Sequence, residues 1–252
     1  MKSPLKSNIR FNVLNEIKKI IKPKSKISSF YLDCGDLELS LCELGNTLIS
    51  HTNKPVIFEF WSLMLKDPAF FAHAVENVFS LIDVEQSLFL QSTWFMNRNE
   101  LTRAVLFYIL KTCSDHGSAS AGRFNKNKIN TFTLSKLKTF NVKNFYPLYD
   151  DCEDQLEAIS SAKLTDFILL PIGKYSLNLF EYGKNKGPDM YTFKHKEIHA
   201  RVKDLDKKCI LLYKNHPALF NLYKSFNIKM VDKYGRVADN KESCEDLIIT
   251  NF

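Results

Sequence analysis

Short apolar runs and helical repeats of apolar residues alternate along the chain, and they predict a mixed α/β fold. The clearest run lies in Thr165–Tyr175, where residues 167–170 are Phe, Ile, Leu and Leu. It stops at Pro171 and Gly173, which is typical of a strand buried on both faces and followed by a turn. Ligands of open α/β sheets bind beyond the carboxyl ends of strands. Only Lys174 adds a charge there, so the run by itself indicates a core strand and a turn.

The amino-terminal part of the chain predicts a helix and the start of a βαβ unit. Apolar residues at helical spacing predict an amphipathic helix that ends before Pro23. Residues 30–32 then predict a strand, Gly35 a tight turn, and the following leucines a helix, before a second strand at 47–50. A turn of this kind is the usual place for a nucleotide cradle, but one glycine is too few for a glycine-rich loop.

The middle of the chain predicts a helical insertion within the α/β sheet. Apolar periodicity indicates helices over 56–65, 69–81 and 101–113, with no convincing strand between them. After the insertion, we expect an acidic helix to precede the strand described first. A polar loop, two helices, two strands and a charged hairpin-like stretch follow it to the carboxyl terminus.

A basic segment, residues 116–149, contains no Asp or Glu and interleaves aromatic residues with cations. Five of its aromatic residues interleave with the cations: Phe124, Phe132, Phe140, Phe145 and Tyr146. Its candidate DNA-binding residues are Arg123, Lys126, Lys128, Lys136, Lys138 and Lys143. Lys and Arg neutralise phosphates, and aromatic rings stack on bases. The segment therefore suits nucleic acid, but it is equally compatible with an ordinary basic surface loop.

Composition narrows the class further. The chain has 252 residues, 45% hydrophobic residues and a net charge of +7, so it can bury a sizeable core. Six scattered cysteines without a CxxC pair indicate buried free thiols in a reducing compartment. No signal-peptide pattern or apolar run of about 18 residues is present. We therefore expect no membrane partner and a cytoplasmic protein, or a nuclear one in a eukaryote.

Two histidines, His195 and His199, fall on one helical face at i, i+4. Paired histidines at this spacing can bind zinc. No third ligand follows at a sensible spacing, so a solvated helix face is the favoured interpretation and no metal is expected.

Four stretches in order resemble the DNA adenine-N6 methyltransferases of the Dam type, over nearly the whole chain. They are SPLKSNIRFNVLNEIKKIIKP, FYILKTCSDHGSASAGRFNKNKINTFTLSKLKTF, CILLYKNHPALFNLYKSFNI and ESCEDLIITNF. The resemblance implies a Rossmann-like, S-adenosylmethionine-dependent methyltransferase fold with a helical target-recognition insertion. Residues 1–54 and 150–252 would form the discontinuous methyltransferase-type domain, and residues 55–149 the insertion.

The cofactor motifs of that family are degenerate in this chain. The glycine motif that receives the methionine of S-adenosylmethionine matches Leu32–Glu38, where only Gly35 remains beside Cys34 and Asp36. The amino-terminal G-G-K keeps at best a positive charge, Arg10. His51 stands where the family has the acid that usually holds the ribose hydroxyls. The resemblance therefore implies that no cofactor is bound.

The catalytic motif is degenerate as well. The family ends the corresponding strand in D-P-P-Y, whose carboxylate accepts from the amino group of the flipped adenine. Here the strand runs through Leu170, Pro171, Ile172, Gly173, Lys174 and Tyr175 without a carboxylate.

These departures predict a catalytically inactive homologue that binds DNA or serves an active methyltransferase partner as a specificity or stabilising subunit. The alternative is an active, S-adenosylmethionine-dependent adenine-N6 methyltransferase with displaced motifs, in which Asp33, Asp36 or Asp166 is the substitute carboxylate. A third interpretation has the basic segment contact an acidic protein instead of nucleic acid.

Overall fold

A seven-stranded, mostly parallel sheet organises the computed structural model, which describes residues 2–5, 11–152, 155–161, 165–175, 191 and 193–252. The strand order is β3-β2-β1-β4-β5-β7-β6, and β7 runs antiparallel to both of its neighbours, β5 and β6. The strands are β1 (Lys26–Ser29), β2 (Thr47–Thr52), β3 (Phe145–Tyr149), β4 (Phe167–Gly173), β5 (Cys209–Lys214), β6 (Asn227–Asp232) and β7 (Cys244–Thr250). This is a mixed α/β architecture compatible with a Rossmann-like fold.

Helices flank the sheet and form the middle of the chain. They are α1 (Leu14–Ile20), α2 (Asp36–Glu43), α3 (Pro55–Lys66), α4 (Pro68–Leu81), α5 (Val84–Thr93), α6 (Glu100–Cys113), α7 (Thr131–Lys138), α8 (Gln155–Ser161), α9 (His195–Lys203) and α10 (Pro217–Leu222). No helix in the described parts of the chain is long and apolar enough to span a bilayer.

Strand β4 has the predicted burial on both faces. Ile168, Leu169 and Leu170 are fully buried, and alternate residues enter two different core clusters. Successive side chains of a strand point to opposite faces, so a continuous apolar run is required where both faces are covered.

Helices α3, α4 and α6 in the middle of the chain pack on one another and share their core with the sheet. The ring of Phe60 in α3 packs on Phe71, Phe107 and Tyr108 of α4 and α6. The neighbouring Trp61 meets Phe145 of β3 with 5.0 Å between ring centroids. The insertion and the sheet are therefore stabilised by the same aromatic cluster.

Two strand boundaries differ from the sequence prediction. Strand β1 ends at Ser29, before the predicted residues 30–32, because Tyr31 has a φ of 61° that interrupts the extended backbone. Strand β3 lies inside the range 55–149 that was predicted to be insertion, and it pairs with β2 at one edge of the sheet. Sheet residues therefore begin before residue 150.

Helix α5 has no counterpart in the sequence prediction. Its apolar residues do not follow a stripe that faces the core, and the side chains it buries are Ser87 and Gln91. Asp83 caps its first turn by accepting a hydrogen bond from Gln86 N at 2.7 Å. Because its apolar residues lack a core-facing stripe, apolar periodicity does not predict this helix.

Candidate functional site at the ends of strands β1 and β4

A cavity of about 700 Å³ lies where the sheet changes winding direction, between β1 and β4. Tyr31, Asp33 and Gly35 line it from the turn after β1, and Pro171 and Ile172 line it from β4. The carboxyl ends of neighbouring parallel strands form the ligand crevice of open α/β sheets. The two stretches singled out in the sequence therefore meet at one crevice.

The turn after β1 depends on Gly35. Its φ is +69°, and a Cβ there would lie 2.8 Å from Cζ2 of Trp61. The indole Nε1 of Trp61 donates to the carbonyl oxygen of Asp33 at 3.0 Å. Gly35 is thus required by the left-handed backbone and by the packing of an indole ring.

Three carboxylates line the crevice beside this turn, and each has a partner. Asp33 forms an ion pair of 3.0 Å with Lys111, which is buried. Asp36 accepts from the backbone of Ser3 at 3.1 Å. Glu38 is buried, and burial raises its pKa above the usual range.

Ser29 partly offsets the burial of Glu38, because its hydroxyl donates to Glu38 Oε1 at 2.7 Å. The wall next to α2 is therefore acidic, and the buried Lys111, paired with Asp33, adds a cation to the lining of the crevice.

The end of β4 offers the crevice no carboxylate. Pro171 is half-buried and Ile172 buried, and an irregularity in the pairing with β5 falls between Pro171 and Gly173, whose φ is +89°. Lys174 is exposed, and Tyr175 packs on the rings of two histidines.

His51, at the carboxyl end of β2, belongs to a closed hydrogen-bond network. Its Nδ1 lies 3.0 Å from Asp150 Oδ1, and its ring stacks on Phe30 with centroids 4.2 Å apart. Gln155 donates to Asp150 at 3.1 Å and accepts from the backbone of Tyr31 at 2.7 Å. These contacts hold His51 against the sheet.

Tyr191 connects the ends of β1 and β2. Its hydroxyl donates to the carbonyl oxygen of Leu32 at 2.7 Å and makes a short hydrogen bond with Thr52 Oγ1. Burial raises its pKa well above the usual range, so the hydroxyl stays protonated and can donate. Nothing in the sequence around Tyr191 indicated this position, since a single tyrosine in a polar stretch carries no periodicity.

The prediction of a solvated face for His195 is wrong. His195 is 7% exposed, and burial, followed by the nearby His216, lowers its pKa to about 4. Its Nδ1 lies 3.2 Å from the hydroxyl of Tyr213, and Nε2 has no hydrogen-bond partner among the described residues. His199 packs its ring on Tyr223, and the described residues contain no group of three potential metal ligands.

The six candidate DNA-binding residues divide by their contacts. Lys126 donates to the carbonyl oxygen of Ile82 at 2.8 Å, and Lys128 donates to that of Ser114. Lys138 pairs with Glu76 at 3.4 Å. The remaining three, Arg123, Lys136 and Lys143, are exposed, as are Lys126 and Lys138. The ammonium group of Lys136 lies over the ring of Phe132.

The aromatic residues of the basic segment divide in the same way. Phe124, Phe140 and Phe145 are buried in the core, whereas Phe132 and Tyr146 are 66% and 56% exposed. Together with Tyr149, which is 37% exposed, these two are the aromatic residues of the segment that reach solvent.

All six cysteines are free, and five are buried, as predicted; Cys152 is half-buried. Arg10 and the polar loop 176–190 lie outside the described residues. No protein-family model and no curated protein matches this chain.

Proposed function

We propose that this chain is a catalytically inactive relative of the DNA adenine-N6 methyltransferases, which acts by binding DNA or an active methyltransferase. The observation that carries the proposal is the end of β4. In that family the strand brings a carboxylate to the target amine. Here Pro171 and Ile172 line the crevice instead, and Lys174 is exposed to solvent.

The missing carboxylate is decisive for the chemistry. The lone pair of an exocyclic adenine nitrogen is delocalised into the ring, and a hydrogen-bond acceptor raises the electron density on that nitrogen as the methyl group is transferred. Loss of one group that stabilises developing charge lowers a rate by roughly 10²–10³-fold.

The strand order supports the proposal at the level of fold. A doubly wound dinucleotide-binding sheet has the order 3-2-1-4-5-6. Rossmann-like methyltransferases differ by an antiparallel seventh strand between the fifth and sixth, and β7 has this position and direction. One fold supports many functions, so the order supports the class and not the substrate.

The residues around the crevice do not fit S-adenosylmethionine in the way that family holds it. Asp36 and Glu38 follow Gly35 where the backbone would approach the methionine part. The hydroxyl of Tyr191 joins Leu32 and Thr52 at the ends of β1 and β2. At the end of β2, His51 is hydrogen-bonded to Asp150 and stands where the family has the acid that binds the ribose hydroxyls of the cofactor.

The DNA-binding role rests on the exposed cations of the basic segment, with Arg123, Lys136 and Lys143 the residues that contact phosphate. The exposed ring of Phe132 beside Lys136 supplies a stacking surface. The free buried thiols suit a reducing compartment such as the cytoplasm.

Calorimetry with S-adenosylmethionine tests the inactive state. We expect no saturable heat, and a micromolar dissociation constant at a stoichiometry of one would overturn the proposal.

Salt-dependent gel shift tests DNA binding, because phosphate contacts make affinity fall steeply with ionic strength. Affinity for duplex that is insensitive to salt would instead favour an acidic protein as the partner of the basic segment.

A specific observation favours the second candidate, an active enzyme with displaced motifs. Asp33 and Asp36 line the same cavity as Pro171, so a carboxylate is present in the crevice, although on the wrong strand. Asp166 is not such a candidate, because it lies at the opposite end of β4 and accepts from Lys26 N at 2.8 Å. Transfer of a labelled methyl group to mixed-sequence DNA by the isolated chain, abolished in Asp33→Asn, would establish this alternative.

A further inference from the structure

Helix α5 is turned with its apolar residues toward solvent. Val84, Leu88 and Phe89 are 58%, 65% and 68% exposed, whereas Ser87 and Gln91 are buried. Gln91 is held inward by a hydrogen bond of 2.9 Å from its Nε2 to the carbonyl oxygen of Gly122. A surface helix normally shows the opposite arrangement, with its apolar face toward the core.

The exposed apolar surface extends beyond both ends of α5. Leu81 before it and Phe95 and Met96 after it are 75%, 39% and 67% exposed. We define the α5 patch as six side chains within residues 81–96: Leu81, Val84, Leu88, Phe89, Phe95 and Met96.

The size of the α5 patch is that of a dimer interface. With about 150–200 Å² for a whole side chain of this kind, its exposed fractions amount to roughly 600 Å². That is the upper end for the largest patch of a typical monomer, about 300–600 Å². Exposed polar residues that lie between these six in sequence, Asp83, Glu85, Gln86 and Ser92, bring the exposed surface of the segment close to the roughly 800 Å² that each partner buries in a stable complex.

The α5 patch also contains a recess. A groove of about 580 Å³ opens between α4, α5 and α6, and residues that line it include Leu81, Phe89 and Leu106. An aromatic or methionine side chain from a second copy of the patch has the shape and chemistry to fill it. A second copy placed by a twofold axis would present such side chains to the groove, and the same contact would recur on the other copy, as in any isologous interface.

Two charges of opposite sign, one in the first turn of α5 and one beyond its last turn, set the orientation of a second copy. Glu85 and Arg98 are both exposed, and within the described parts of the chain neither forms an ion pair. Glu85 lies in the first turn of α5, and Arg98 lies beyond its last turn, after the 3-10 turn Trp94–Met96. If α5 packs antiparallel to its mate, Glu85 of one copy faces Arg98 of the other, and the same pair recurs at the opposite end.

We propose that the α5 patch is an isologous interface between two copies of this chain, with the α5 helices antiparallel and Glu85 paired with Arg98 across the twofold axis. The inference does not depend on the function proposed above, since none of the six side chains of the α5 patch, nor Glu85 or Arg98, belongs to the crevice or to the basic segment.

Sedimentation velocity of the full chain is the first test. We expect a species of twice the 29.2 kDa chain mass. Leu88→Glu places a charge at the centre of the interface and should raise the dissociation constant at least ~100-fold. The side chain of Leu88 is already exposed, so the fold of the monomer is unaffected.

Leu148→Glu is the matched control. Leu148 is 45% exposed on the edge strand β3, where a sheet could also pair with another copy. This variant should remain dimeric. Dissociation by Leu148→Glu but not by Leu88→Glu overturns the proposal, as does a wild-type chain that is monomeric at ~100 µM.

A charge exchange tests the orientation. Glu85→Arg alone and Arg98→Glu alone should each weaken the dimer, and the double variant should restore it, because the pair is re-formed with reversed polarity. A double variant that is no stronger than either single variant contradicts the antiparallel arrangement.

Discussion

Burial of His195 predicts a pH-dependent loss of stability that a single substitution should remove. His195 is enclosed by the rings of Tyr175, Phe193 and Tyr213. Its pKa falls from 6.5 to about 4, mainly because burial disfavours the imidazolium. Between these two values the unfolded chain binds a proton that the folded chain does not. The contribution of neutral His195 to the unfolding free energy is therefore fully present above about pH 6.5 and is lost as the pH falls toward 4.

The magnitude follows from the size of the pKa shift. One pKa unit corresponds to 1.36 kcal/mol, so acidification from pH 7 to about 4.5 should remove about 2 kcal/mol of unfolding free energy through this histidine. His195→Phe cannot be protonated and keeps a ring in the aromatic cluster. It gives up one hydrogen bond to Tyr213, whose hydroxyl still lies 3.2 Å from that of Tyr223. At pH 7 we therefore expect the variant within about 1 kcal/mol of the wild type.

Urea denaturation at a series of pH values, followed by tryptophan fluorescence, measures this effect. Trp61 and Trp94 are the two tryptophans of the chain, and both are buried, so unfolding changes the environment of both. The other groups titrate in both wild type and variant, so the difference between the two curves of unfolding free energy against pH reports on His195 alone. His73→Phe, at an exposed position of α4, is the matched control and should follow the wild type. Parallel curves for wild type and His195→Phe would refute the reasoning.

Three further predictions concern the turn after β1, the thiols and the basic segment. Gly35→Ala should lower the unfolding free energy by about 2–4 kcal/mol, because a left-handed alanine is strained and its Cβ would lie 2.8 Å from an indole ring. Gly45 is the control: its φ is +84° but the space around it is open, so Gly45→Ala should lower the unfolding free energy by only about 1–2 kcal/mol. A thiol reagent should modify only Cys152 rapidly in the folded chain, and fast reaction of several buried thiols would contradict the packing. Lys143→Ala should reduce the slope of log affinity for duplex DNA against log salt concentration by about 0.9. Lys126→Ala should instead lower the unfolding free energy by about 1 kcal/mol, because the Lys126 amine donates to a backbone carbonyl. Equal effects of the two variants on the salt slope would contradict the assignment of Lys143, and not Lys126, as a phosphate contact.

Patterns that follow the period of an element were reliable guides to this fold. The apolar run at 167–170 had to be a strand covered on both faces, and β4 has that burial. Apolar stripes likewise located α3, α4 and α6. Such patterns are local, because a helix or strand must present its apolar side chains to whatever covers it.

Elements that depart from those patterns were missed. Strand β3 contains Pro147, which the ladder tolerates because β3 is an edge strand paired only with β2. Helix α5 turns its apolar residues outward, so its burial pattern is the reverse of the expected one. Whether a strand is at an edge, or a helix face is covered by the chain itself, is decided only when distant segments pack.

The candidate site shows the same division. The sequence by itself determined that the strand at Pro171 carries no carboxylate and that a single glycine, Gly35, follows the first strand, because residue identities need no fold to be read. Only the tertiary structure decided that these two stretches line one crevice, that Tyr191 joins the ends of β1 and β2, and that His195 is buried. Those facts depend on contacts between residues far apart in the chain, and no local periodicity records them.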